Sequence, residues 1–172
     1  MSGITLLIQD PKWRTHRGLQ ARLKKAAEAA AAAARLRGDF TVLLTSDKAL
    51  RALNRDFRGK DKPTNVLSFP SGDDFFDGRT AGRRATLSLR DRSARLADAY
   101  AGDIAIAHGV TAAEAKASGK RFTDHATHLV VHGVLHLAGH DHERPKDAKV
   151  MEPLEVKILA RLGIADPYVT VQ

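Results

Sequence analysis

With 172 residues and no cysteine, the chain can bury roughly 70% of its unfolded surface without covalent staples, and both disulfides and thiolate ligands are excluded, leaving histidine and carboxylate as metal donors. No 18-residue apolar stretch occurs, and the opening MSGITLLIQD has too short an apolar run and no basic leader for a signal peptide, so the expectation is a single cytoplasmic domain over 1–172 with no membrane partner. A net charge of +8 and a pI near 10.0 suit a polyanion such as nucleic acid, although a genome-wide preference for Arg and Ala gives the same charge, and 5% aromatic content argues against an extensive base-stacking platform.

Ile4, Leu6 and Ile8 alternate as a strand that Asp10-Pro11 ends. An alanine-dominated segment from about His16 to Arg37, carrying Leu19, Leu23 and Leu36, predicts a long helix stopped by Gly38. Phe40, Val42 and Leu44 predict a second strand, after which Ser46 caps a helix bearing Leu50, Leu53 and Phe57 and ending at the basic, glycine-marked Arg58-Gly59-Lys60. Beyond the Lys62-Pro63 turn, Asn65 to Phe69 form a short apolar strand closed by Pro70. Regularity then fails at about 71–101, where Arg79, Arg83, Arg84, Arg90, Arg92 and Arg95 crowd among Asp and Gly. This predicts a long surface excursion whose arginines either grip phosphate or stay solvated.

Gly102 to Ala107 predict another strand, and Thr111 with Glu114 a capping box for a short helix ending at Gly119. From about Arg121 to Ala138, apolar residues including Leu129, Val130, Val131, Val134, Leu135 and Leu137 cover most of a helical circumference, which predicts a central, buried helix. A last helix runs to about Leu162 with Leu154, Ile158 and Leu162 on one face, Pro153 kinking it or marking its first turn. The fold class expected is α+β with three-layer α/β character: a small mixed four-stranded sheet packed with about five helices.

The central helix ends in HGVLHLAGHDH, His132 to His142. Residues four apart share a helical face, so His132 and His136 can point at one ion. Gly139 supplies a left-handed stop that turns the chain back and brings His142 within reach, with His140 and Asp141 as alternative third ligands. Three imidazoles and an open position suit one zinc ion, which makes hydroxide available near neutral pH, so hydrolysis is the expected chemistry. His128, further along the same helix, reads as substrate-binding or as a support for the ligands, and His125 as a solvated or helix-start residue. Asp141 adjoins a ligand and reads as a residue that orients His142 through a hydrogen bond, or as a candidate general base.

Zinc peptidases share this histidine spacing but place Glu after the first histidine as general base. Here that residue is Gly133. Without the carboxylate, phosphodiester chemistry suits the site better, because a metal and an arginine together can balance the charge that develops on phosphate.

Together with LNRDFRGKDKPTNVLSFP from Leu53 to Pro70, the strand at Gly102-Asp103-Ile104, VMEPLEVKILARLG and Asp166-Pro167-Tyr168, the histidine segment resembles the YbeY family of bacterial ribosomal-RNA maturation endoribonucleases over nearly the whole chain outside 71–101. The resemblance implies a single-strand-specific endoribonuclease with one zinc, acting on ribosomal RNA at the small-subunit 3′ end and in ribosome quality control. It implies metal ligands at His132, His136 and His142 and a functional arginine at Arg58, making Arg58 and His136 the expected catalytic residues, with Lys60 and Lys62 widening the phosphate footprint. Two departures from the family pattern stand out: the excursion at 71–101 is longer, and Pro153 interrupts the last helix. The rival from another class is a ribosome-associated assembly or binding factor with a structural metal, which would require a fourth protein ligand.

Overall fold

The computed structural model describes residues 2–71 and 100–169. Four strands, β1 (Ile4–Ile8), β2 (Asp39–Thr45), β3 (Val66–Pro70) and β4 (Tyr100–Ala107), form one sheet in the order β1-β2-β4-β3. β1, β2 and β4 are parallel, and β3 joins the edge antiparallel to β4. Around them lie α1 (Leu19–Ala33), α2 (Asp47–Arg58), α3 (His108–Ala117), α4 (Phe122–Leu137) and α5 (Pro145–Arg161). This is the α+β fold expected from the sequence, four strands and five helices among the described residues. The predicted excursion at 71–101 lies outside those residues apart from Ser71, Tyr100 and Ala101.

The period-two geometry of the strands divides the core into two. Phe40, Val42, Leu44, Ile104 and Ile106 face one way and pack with α1, α4 and α5, while Leu43, Ala105, Leu67 and Phe69 face the other way against Leu50, Leu53 and Phe57 of α2. Covered on both faces, β2 and β4 are buried without alternation over most of their length, as central parallel strands are. Ala26, Ala27, Ala30 and Ala31 are buried on α1, so the poly-alanine run is a close-packing face as well as a strong helix former. Helix α4 runs through the middle of the larger layer and touches α1, α3, α5, β3 and β4.

Three helices differ in their bounds from the sequence reading. Helix α1 is shorter than 16–37, because Pro11–Thr15 form a separate 3-10 turn that buries Trp13, whose indole Nε1 donates to the Thr45 carbonyl at 2.9 Å. At the other end Arg35 takes a left-handed φ of 53°, and Leu36 N–H donates back to the Ala31 carbonyl at 2.9 Å, ending the helix before Gly38. Helix α3 starts at His108, so Thr111 lies inside it and there is no capping box; Thr111 Oγ1 donates to the Ala107 carbonyl at 2.6 Å. Asp47 of α2 caps α3 instead, accepting from Val110 N–H at 2.9 Å. Helix α5 begins at Pro145, which makes Pro153 an interior residue rather than the first turn. No described helix is long and apolar enough to cross a membrane.

Helix α4 reaches the sheet only because residue 133 is glycine. A Cβ there would stand 2.7 Å from Ile104 Cγ2 on β4, and Gly133 is itself buried. Gly133→Ala is therefore expected to destabilise the protein by about 1–3 kcal/mol through overpacking, read as a fall in thermal midpoint; an unchanged midpoint would refute the close-approach account. The same contact explains why a peptidase glutamate has no place at this position: a side chain there would enter the sheet instead of the histidine cleft.

Candidate metal centre

Helical periodicity puts His132 and His136 on one face of α4, with ring centroids 4.6 Å apart and Nε2 atoms 3.0 Å apart. The helix then stops: Gly139 has a φ of 94°, and His140 N–H donates to the Leu135 carbonyl at 3.0 Å. Asp141 continues the reversal, its Oδ1 accepting from the backbone N–H of His142 at 2.7 Å and of Glu143 at 3.2 Å. The His142 ring consequently lies 4.9 Å from that of His132 and 5.0 Å from that of His136. One ring nitrogen from each of the three falls within 4.8 Å of the others. Among the described residues neither His140 nor Asp141 joins that trio, although both line the same cleft.

The donors suit the ion. Burial, reinforced by the neighbouring His132 and His142, lowers the His136 pKa to about 4, so its imidazole is neutral at pH 7, as a ligand must be. A carboxylate touches His132 from behind: Glu155 of α5 is fully buried, with Oε1 2.8 Å from His132 Nδ1 and Oε2 2.7 Å from both His128 Nε2 and the Tyr168 hydroxyl. Burial by itself would raise the Glu155 pKa, but the hydrogen bonds with His128, His132 and Tyr168 outweigh it and hold the value at about 2. Glu155 was not singled out in the sequence, yet a signal was present. It shares a face with Met151, Ile158 and Leu159, a lone acid at a core-facing helical position.

The other candidates are distributed unevenly around the centre. Arg58, the last residue of α2, lines a cleft of about 520 Å³ together with His132, His136 and His142. Lys60 and Lys62 are exposed beyond Gly59 and do not line it; the Lys62 carbonyl accepts from the buried Asn54 amide at 3.0 Å. His128 is directed to Glu155 and is likewise absent from the cleft wall. His125 is not solvated: its side chain is 11% exposed and its Nε2 lies 2.7 Å from Glu114 Oε2. Glu114 also receives the Asn65 amide, and Ser68 Oγ donates to the Gly133 carbonyl at 3.1 Å, so these two cleft residues are tied to the protein. Asp141 Oδ1 is 3.9 Å from His142 Nδ1, beyond hydrogen-bond range. It therefore places His142 through the backbone, not through the ring.

These groups predict how the metal-free protein responds to acid. His136 is held below its ordinary 6.5 and Glu155 below its ordinary 4.5, so both add stability above those values. His136's share is lost as pH falls through about 4 and Glu155's through about 2. The thermal midpoint of the chelated protein should fall steadily from pH 7 to pH 4; a midpoint that rises over that interval would contradict the assignment.

Known proteins resemble this chain in sequence and in fold. The family model described as "Endoribonuclease YbeY" matches residues 8–163. A protein named endoribonuclease YbeY from Rhodopseudomonas palustris (strain HaA2) is 45% identical over 166 residues, covering 95% of this chain and 80% of its own length. One of the same name from Chelativorans sp. (strain BNC1) is 45% identical over 167 residues, covering 96% of this chain and 92% of its own. The solution structure of TM1509 from Thermotoga maritima shares the fold with a TM-score of 0.56 at 24% identity, covering 96% of this chain and 99% of that one. Matched by the family model over residues 8–163 and by these relatives at 45% identity, the chain belongs to the YbeY family of endoribonucleases.

Proposed function

We propose that this protein is a zinc-dependent endoribonuclease of 1–172 as a single domain, cutting single-stranded RNA in the cytoplasm during maturation of the small-subunit ribosomal RNA 3′ end and ribosome quality control. The observation that carries the reading is that one ring nitrogen each of His132, His136 and His142 lies within 4.8 Å of the others in a cleft that Arg58 also lines. Zinc bound there by three imidazoles supplies Lewis acidity and hydroxide near neutral pH.

The chain's own residues do the rest. Arg58 presents a planar guanidinium to a phosphate in the cleft, binding it bidentately and balancing the charge that grows as the phosphodiester bond breaks. Asp141 and Gly139 hold the turn that delivers His142. The packed face of α4 against β4 closes the site from behind. An assembly factor with a structural metal would call for a fourth ligand; the described residues bring three together in the cleft, while the other possible group, His128, His132 and Glu155, shares His132 and is hydrogen-bonded internally.

The test is to assay purified protein with and without chelator against single-stranded RNA, structured RNA and a peptide library. Cleavage of the single-stranded RNA alone, lost on chelation and restored by zinc, is expected. Chelator-resistant cleavage would overturn the metal mechanism, and peptide cleavage the substrate class. In cells depleted of the protein, ribosomal RNA precursors extended at the small-subunit 3′ end should accumulate; normal ends would refute that assignment.

A further inference from the structure

We infer that Glu155 is a positioning residue of the metal centre: by accepting a hydrogen bond from Nδ1 of His132 it fixes the tautomer in which Nε2 keeps its lone pair and faces the ion. The inference rests on the zinc reading above and assigns a role to a residue outside the three ligands.

The geometry leaves the imidazole little choice. Glu155 Oε1 lies 2.8 Å from His132 Nδ1, and a carboxylate can only accept there, so the ring proton sits on Nδ1. In the neutral ring Nε2 is then the nitrogen with the lone pair, and it is the atom that stands 3.0 Å from His136 Nε2 inside the ligand trio. The carboxylate is itself rigidly held. It is completely buried, and its second oxygen meets His128 Nε2 and the Tyr168 hydroxyl, each at 2.7 Å. These two contacts come from different places, one a turn earlier on α4 and the other from the segment after α5. Glu155 thereby ties three parts of the chain to the back of one ligand. A carboxylate behind a ligating histidine raises the ring's basicity and removes the entropy of ring reorientation, and loss of such a partner typically costs about 10–100-fold in metal affinity. A purely structural salt bridge would instead use the imidazolium, protonated on both nitrogens and unable to ligate an ion.

Two measurements test this. In metal-free wild-type protein at a pH where the imidazoles are neutral, long-range 1H–15N correlation spectra of the histidine rings should show His132 protonated at Nδ1 and bare at Nε2; the opposite tautomer would overturn the proposal, whatever the variants do. In zinc titrations of the full chain, Glu155→Gln should weaken binding by about 10–100-fold, while Tyr168→Phe, which leaves Oε1 untouched, should stay within about threefold of wild type. Wild-type affinity in a folded Glu155→Gln protein would overturn it as well. If wild-type protein bound no zinc at all, the metal reading would fail, but the tautomer result would still decide the role of Glu155.

Discussion

Replacing His136 with alanine is expected to remove bound zinc and cleavage of single-stranded RNA together, with activity down at least a thousandfold. That loss corresponds to about 4 kcal/mol of transition-state stabilisation. The size follows from the position of the residue. His136 is one of three rings that lie 4.6, 4.9 and 5.0 Å apart, and the two that remain cannot hold an ion in fixed geometry. Because His136 lines the cleft and is only partly buried, the variant should keep its fold, and circular dichroism would verify that. Metal content by elemental analysis and turnover on a labelled single-stranded RNA are the readouts. Full activity in a metal-free variant would end the metal mechanism.

Arg58→Ala separates binding the metal from using it. Zinc content should be unchanged, since Arg58 is on α2 and outside the ligand trio, whereas cleavage should fall by about 10²–10³-fold, as when one preorganised donor to a developing charge is lost. Arg58→Lys keeps the charge but not the planar fork, so an intermediate rate is expected. The salt dependence of RNA binding should become shallower by about one unit of slope in the alanine variant. Turnover equal to wild type would remove Arg58 from the site.

Much of the site was legible in the sequence because its geometry is local. His132 and His136 are brought together by helical periodicity, and Gly139 with Asp141 turns His142 back through neighbouring backbone bonds. Such a motif carries its own coordinates. The strands were equally readable, since each is a short apolar run bounded by Gly, Pro or Asp. Arg58 was different: it came from resemblance, because nothing within its own segment announces the histidines that line the same cleft.

Composition and local order therefore account for the set of elements, the histidine motif and the exclusion of thiolate ligands. Tertiary structure decided everything that depends on a partner distant in the chain. It showed that Asp47 caps α3 where a local box at Thr111 was expected, that Glu114 takes the imidazole of His125 out of solvent, and that Gly133 is glycine because Ile104 of β4 lies against it. Above all it placed Glu155 behind His132, 23 residues apart in sequence and 2.8 Å apart in space. The physical reason is common to these cases. Hydrogen bonds and van der Waals contacts act over a few ångströms, so a residue's role is set by its neighbours in space, and only residues within a turn or two of one another have neighbours that the linear order already specifies.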